Sequence, residues 1–211
     1  MKKIVILLLL ITLVAAGAFS QMSLGAGFLY DFSANNGYKS ETLDMKFGRN
    51  NTSFGGFLFF DISFVEININ YSYGTLKPYR KGNNAEIMQV LKMSQLGLSA
   101  YAKYNLNLGK ISLFPMAGLE YNMALAVKDE NGNDVYADTV TKSVFRDFSQ
   151  LGLLAGAGID IPFTSKIFLR AEALFHFRFP TKEARERAEK DKIDTTFGLG
   201  PRIKVGIGYR L

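Results

Sequence analysis

Alternation of apolar and polar residues is the feature that most constrains how this chain can fold. In the clearest stretch, from Val65 to Tyr73, the odd positions are apolar and the even positions are polar or charged. Successive side chains of a β-strand point to opposite faces, so this period of two predicts a strand with one apolar and one polar face. Seven further stretches show a similar pattern. The sequence therefore predicts an all-β protein of eight strands.

The predicted strands are long enough to cross a bilayer at a tilt, which takes about 9–11 residues. They cover residues 22–33, 53–61, 65–74, 95–105, 111–123, 150–161, 167–179 and 197–211. The second is the least regular, because positions 57–60 are apolar on both faces. Pro115 and Pro201 lie inside strands, where each removes a ladder hydrogen bond. We expect a bulge or a local break at each proline.

The connections between the strands alternate in length. Short turns are predicted at 62–64, 106–110 and 162–166, and long polar loops at 34–52, 75–94, 124–149 and 180–196. Outer-membrane barrels have short periplasmic turns and longer extracellular loops. The pattern predicts an antiparallel up-and-down transmembrane β-barrel with four long outer loops and short periplasmic turns.

The N-terminus has the features of an export signal. Lys2 and Lys3 precede an apolar run, residues 4–16, which is too short for a spanning helix. We predict a signal peptide over residues 1–20, cleaved before Gln21, and a barrel domain over residues 21–211. Cleavage after Ala18 is nearly as good, and an uncleaved anchor helix is the alternative.

Charge and composition limit the kinds of molecule that this protein is expected to bind. The chain has 25 basic and 19 acidic residues, a formal charge of +6, and no cysteine. This small excess is scattered along the sequence, which argues against nucleic acid as a partner.

The two faces of the predicted strands differ as in a membrane barrel rather than a soluble one. Aromatic residues lie near the ends of the apolar face, where their rings suit the lipid–water boundary: Tyr30, Phe32, Tyr71, Tyr73, Tyr104, Tyr121, Phe177, Phe179 and Tyr209. The opposite face carries a predicted polar network in the lumen: Glu66, Lys103, Glu120, Asp160, Arg170, Glu172, Arg202 and Lys204. Glycines also fall on the lumen face, and we expect them to leave space for the long charged side chains of neighbouring strands: Gly25, Gly27, Gly97, Gly118, Gly156, Gly158, Gly206 and Gly208.

These features together resemble the small OmpA/OmpX-type outer-membrane barrels. The segment 57–74, two strands joined by a tight turn, is particularly similar to them, and the last strand resembles their C-terminal assembly signal although it ends in Leu211 rather than phenylalanine. The resemblance implies a protein of the outer membrane of a diderm cell. Its implied partners are outer-membrane lipid, the barrel assembly machinery that reads the last strand, and extracellular ligands bound through the loops. It also implies a non-enzymatic structural role, with adhesion or host-factor binding at the surface.

Two other functions remain open. A narrow channel for a small solute would need a lumen lined by charges of one sign, whereas the mixed signs here favour a closed barrel. A lipid-modifying enzyme would need a histidine that faces the bilayer. His176, the only histidine, faces the lumen by parity, where a hydrogen-bonding role is expected. We therefore predict no catalytic, cofactor-binding or metal-binding residues.

Three polar segments have their own local patterns. Residues 129–134 resemble a calcium loop only loosely, because Asp134 stands where the loop needs glycine, so a polar hairpin tip is the better interpretation. Residues 181–192 contain opposite charges four apart, which fits either a surface helix or a solvated charged run. Residues 85–93 have helical apolar spacing, which predicts a short helix over the barrel mouth.

Overall fold

The computed structural model describes residues 22–40, 45–81, 86–87, 90–134, 149–180, 182, 186 and 198–211. The predicted signal peptide lies outside these residues. Ten strands are formed by the described part of the chain: β1 Met22–Ser40, β2 Met45–Ile62, β3 Val65–Lys81, β4 Glu86–Ile87, β5 Leu91–Lys103, β6 Leu106–Leu108, β7 Ile111–Lys128, β8 Gln150–Pro162, β9 Ile167–Pro180 and β10 Gly198–Arg210.

Eight long antiparallel strands close into a barrel. Around the barrel the order is β1, β2, β3, β5, β7, β8, β9 and β10, and β1 then pairs with β10, with Ser23 opposite Arg210. The short strand β6 continues β5 in the same register after a break at Tyr104 and Asn105, and β4 pairs with the end of β3. The predicted eight-stranded up-and-down barrel is confirmed.

The barrel has an apolar outer face and a filled interior. Outward side chains such as Phe28 and Ile207 are 82% and 59% exposed. On β2, which the sequence left ambiguous, Phe57 and Phe59 point inward and are buried while Leu58 points outward and is exposed. No helix among the described residues is both long and apolar enough to cross a membrane.

Three of the four predicted long loops are shorter than expected, because the strands continue into them. β1 and β2 remain paired as far as Ser40 opposite Met45, and β2 stays paired with β3 as far as Lys46 opposite Lys81. Likewise, β5 begins at Leu91, within the predicted loop 75–94, and β7 ends at Lys128, within the predicted loop 124–149. Neighbouring segments that leave the barrel side by side can satisfy each other's backbone N–H and C=O groups, and this pairing needs no alternating apolar pattern.

The predicted helix over residues 85–93 is wrong. Glu86–Ile87 forms β4, and Leu91 already belongs to β5. A short apolar run does not distinguish a helix from a strand, and here pairing with β3 decides in favour of strand. In the fourth connection Lys182 and Glu186 are helical, with an ion pair of 3.6 Å between their side chains. Three other pairs of opposite charges spaced four apart in residues 181–192 each include a residue outside the described ones: Glu183/Arg187, Arg185/Glu189 and Glu186/Lys190.

Both strand prolines sit at a local break in pairing and neither causes a bulge. Pro115 pairs in register with Ala157 on β8, and the gap between β5 and β6 lies on its other side. Pro201 pairs in register with Phe175, while its ladder to β1 is interrupted without a shift. The register shifts that do occur lie between Asn35 and Tyr38 in β1 and at Ser94/Gln95 in β5.

Candidate functional site

Charged side chains fill the lumen in two groups. The turn-side cluster lies toward the short turns and contains Asp61, Glu66, Lys103, Asp160, Arg170, Glu172 and Lys204. The hairpin-side cluster lies toward the long connections and contains Asp31, Glu120, His176, Arg178 and Arg202. Each member comes from a strand position whose side chain points inward.

Arg170 on β9 organises the turn-side cluster. Its Nε and Nη2 donate to the two carboxylate oxygens of Asp160 at 2.8 and 2.7 Å, a bidentate arrangement on the neighbouring strand. Its Nη1 donates to Glu66 Oε2 at 2.8 Å, and its Nη2 to Asp61 Oδ2 at 2.8 Å. Because β9 and β3 lie on opposite sides of the barrel, the contact with Glu66 spans the lumen.

Two lysines are the other cations of this cluster, in which three cations pair with four carboxylates. Lys103 Nζ lies 2.7 Å from Asp61 Oδ1 and 3.6 Å from Glu66 Oε2. Lys204 Nζ lies 3.3 Å from Glu172 Oε2 and donates to the hydroxyl of Tyr101 at 3.4 Å. Since Tyr101 stands on the opposite side of the barrel from Lys204, this contact also crosses the lumen.

Aromatic rings fill the space around these charges. The Arg170 guanidinium carbon lies 4.3 Å from the centre of the Phe59 ring, and the rings of Phe114 and Phe168 are also within cation–π range. Each of these rings, like that of Phe57, is buried. The barrel interior is therefore a packed core of rings and paired charges.

The lumen glycines make room mainly for these rings and for backbone, which corrects the expectation that they would accommodate charged chains. A Cβ atom on Gly25 would lie 2.4 Å from the Phe59 ring, and one on Gly158 would lie 2.3 Å from the Phe114 ring. Cross-strand register places each glycine directly opposite its ring: Gly25 with Phe59, Gly27 with Phe57, Gly158 with Phe114 and Gly208 with Phe168. At Gly118 and Gly156 a Cβ would instead collide with backbone.

Two arginines and two carboxylates form the hairpin-side cluster. Arg202 Nε donates to Asp31 Oδ2 at 2.9 Å and its Nη1 donates to Glu120. Arg178 shares the same partners, with Nε 3.3 Å from Glu120 Oε1 and Nη2 bonded to Asp31. Asn122 and Ser99 also donate to Glu120. The two positive and two negative charges balance within the cluster.

His176 lies in the lumen, where its parity placed it, but without the expected hydrogen bond. It is fully buried, and its Nδ1 is 3.7 Å from Asp31 Oδ1. None of the described residues hydrogen-bonds either ring nitrogen. Its side chain points away from lipid and stands beside Asp31, with no serine hydroxyl bonded to it among the described residues.

The structure places all eight residues of the predicted network in the lumen, at most 8% exposed. Six lie in the turn-side cluster, while Glu120 and Arg202 lie in the hairpin-side cluster. Sequence reasoning missed Asp31, Asp61 and Arg178. The alternation could have identified Asp31 and Arg178, because each lies at one of the alternate positions of its strand that face the lumen. Asp61 follows the stretch of β2 that is apolar on both faces, so no alternation marked its side.

The segment that resembles a calcium loop forms a turn. Asp129 accepts hydrogen bonds from the backbone and the side chain of Asn133 at 2.8 and 3.1 Å. The side-chain hydrogen bond from Asn133 holds the pKa of Asp129 below its ordinary value. Gly132 has a positive φ of 87°, as the tight turn requires. No cluster of described residues has the composition of a metal site.

Comparison with solved structures identifies the same architecture. The fold is similar to that of the outer membrane protein OprG from Pseudomonas aeruginosa, with a TM-score of 0.52 and 10% identity over 90% of this chain and 95% of that one. Neisserial surface protein A matches with a TM-score of 0.44 and 15% identity over 90% and 97% of the chains. The outer membrane protease OmpT from Escherichia coli matches with a TM-score of 0.38 and 9% identity over 90% and 97%. The match to OprG shows the fold alone, and the two matches with TM-scores below 0.5 add nothing to it.

Sequence comparison gives the family. No curated protein matches the chain. The family model described as the outer membrane protein beta-barrel domain matches residues 6–210. With the closed barrel and its apolar outer face, this match shows that the protein belongs to the outer membrane protein beta-barrel domain family and lies in the outer membrane of a diderm cell.

Proposed function

We propose that this protein is a non-enzymatic, non-conducting structural barrel that presents its outer hairpins at the cell surface. One observation carries the proposal: every cation of the two lumen clusters is held in an ion pair with a carboxylate of the same cluster. A conducting pore is lined by charges that remain available to ions, whereas each cation of these clusters is already bound to a carboxylate.

The pairs also reach across the lumen instead of lining its wall. Arg170 on β9 contacts Glu66 on β3, and Arg202 on β10 contacts Glu120 on β7. An eight-stranded barrel has an interior just wide enough for side chains to fill. Cross-lumen pairs in two clusters, with aromatic rings packed among them, support a barrel that is closed along its length.

We expect no large steady conductance when the refolded protein is inserted in planar bilayers. The reason is that an ion would have to displace paired charges in two successive clusters. The double variant Arg178→Ala/Arg202→Ala removes only the cations of the hairpin-side cluster, so the intact turn-side cluster should keep this variant closed as well. A stable open channel in the unmodified protein, with ion selectivity that changes in Arg202→Ala, would instead support the narrow-channel function.

Membrane topology gives a second expected result. The chain contains no cysteine, so single-cysteine variants can be labelled without background. We expect an impermeant thiol reagent added to intact cells to label Asn131→Cys, in the turn after β7, and not Ser63→Cys, in the short turn after β2. Labelling after the outer membrane is permeabilised checks that Ser63→Cys is reactive. Labelling of Ser63→Cys alone on intact cells would reverse the orientation.

Surface presentation is supported by β1, β2 and β3, whose pairing continues into the predicted long loops. In this function, any adhesion or host-factor binding takes place at the outer connections. The signal peptide over residues 1–20 directs export, and the last strand then directs assembly. Replacing residues 135–148 with a short glycine linker should remove surface binding but leave a heat-modifiable, folded barrel.

His176→Ala should leave the biological role unchanged, and loss of a lipid-modifying activity in that variant would contradict the non-enzymatic assignment.

A further inference from the structure

A groove at the rim of the barrel, on the side of the short turns, has the chemistry of an anion site. It has a volume of about 360 Å³ and lies between the β6–β7 hairpin and the turn that joins β8 to β9. Lys110 and Arg210 line it, together with the uncharged polar side chains of Asn107, Ser112 and Ser165. No aspartate or glutamate is among its lining residues.

The two cations of this groove are unpaired. Neither Lys110 nor Arg210 forms an ion pair with any residue that the structure describes, whereas the lysines and arginines of the lumen clusters do. Arg210 contacts the Phe168 ring, with its guanidinium carbon 5.3 Å from the ring centre. Asp61 and Asp160 line a neighbouring pocket together with Arg210, but both carboxylates are already paired with Arg170. The groove therefore has positive charge that no described carboxylate neutralises.

Exposed apolar side chains stand on the two turns that border the groove. Leu108, which is 60% exposed, lies two residues before Lys110, and Phe163, which is 64% exposed, lies in the β8–β9 turn. Both continue the outward face of their strands, the face that meets lipid. A soluble anion would use only the cations, whereas a lipid would use both features.

We propose that this groove binds the phosphate of an anionic phospholipid from the periplasmic leaflet. The acyl chains lie along Leu108 and Phe163, and the phosphate enters between the two turns to meet Lys110 and Arg210. Asn107, Ser112 and Ser165 offer hydrogen-bonding groups to the headgroup. This site is separate from the paired lumen charges and from the outer hairpins on which the proposed function rests.

The test measures which lipid the barrel retains. The protein is refolded in mixed phosphatidylcholine–phosphatidylglycerol vesicles, extracted in mild detergent, and examined by native mass spectrometry. The unmodified protein should retain phosphatidylglycerol in preference to phosphatidylcholine. Lys110→Gln should lower the affinity for phosphatidylglycerol about tenfold, which corresponds to about 1.4 kcal/mol, because one charge-assisted hydrogen bond is lost.

Matched variants separate this site from general charge effects and from free anions. Lys77→Gln removes the same charge from an exposed position at the outer end of β3 and should leave retention unchanged. Phe163→Ser should lower lipid retention although it leaves both cations in place. Equal retention of the two lipids, or an equal loss in Lys77→Gln, would overturn the proposal. Tight binding of inorganic phosphate that is unaffected by Phe163→Ser would assign the groove to a soluble anion and would also overturn it. Heat-modifiability on gels confirms that each variant is folded.

Discussion

Arg170→Ala is expected to lower the free energy of unfolding by about 3–5 kcal/mol, because it removes one partner of a buried ion-pair network. The Arg170 side chain is 1% exposed and donates to Asp61, Glu66 and Asp160. Without the guanidinium, these carboxylates would keep only Lys103 as an ion-pair partner among the described residues. Urea titration of the refolded protein in detergent, followed by the gel shift between folded and unfolded forms, measures the change.

The matched control is an exposed ion pair in the same chain. Lys182 is paired with Glu186 at 3.6 Å, but their side chains are 85% and 57% exposed. Lys182→Ala should therefore cost less than about 0.5 kcal/mol. Arg170→Lys should fall between the two, since it keeps the charge and loses the bidentate geometry. Equal effects of Arg170→Ala and Lys182→Ala would mean that the lumen network contributes little to stability.

Alternation of residues was sufficient to predict the barrel and the lumen side of the eight charges in the predicted network. Glu66, Arg170 and Lys204 could be placed in the lumen because side chains alternate between the two faces along the whole length of a strand that contains no bulge. Pairs on neighbouring strands, such as Glu172 opposite Lys204, also follow from antiparallel order once a register is known. On β2 the same reasoning could not place Asp61, because both faces of the preceding stretch are apolar.

Contacts across the lumen could not be predicted in the same way. Whether Arg170 meets Glu66 depends on the stagger of all the strands between them around the barrel, and no local pattern encodes that quantity. The outer extensions of β1, β2 and β3 were missed for a different reason. They are held by backbone pairing between segments rich in polar residues, so their side chains carry no apolar period of two.

The packing of rings against glycines was also missed. Strand faces were assigned by taking apolar residues as outward and polar residues as inward, and a phenylalanine in the lumen breaks this rule. Each ring needs a partner without a side chain: Phe114 lies opposite Gly158, where a Cβ would approach within 2.3 Å of the ring. The glycine is therefore specific to the ring, and the pair should be treated as one unit of packing.

Phe114→Ala is expected to lower the free energy of unfolding by about 3–5 kcal/mol, since it leaves a cavity where a fully buried ring had packed. Phe54→Ala is the matched control. Its ring is 66% exposed on the outward face, where lipid chains can occupy the space that the ring leaves, so the loss should be smaller. Urea unfolding of the two variants in the same lipid compares them directly.

The pairing itself is tested by a double-mutant cycle. Gly158→Ala alone should cost about 1–3 kcal/mol, because the added methyl group collides with the Phe114 ring in an already packed interior. In Phe114→Ala/Gly158→Ala the methyl group occupies part of the vacated space, so the double variant should be more stable than the sum of the single changes predicts. Additive losses would show that Gly158 and Phe114 act independently, and the glycine would then be required by the backbone rather than by the ring.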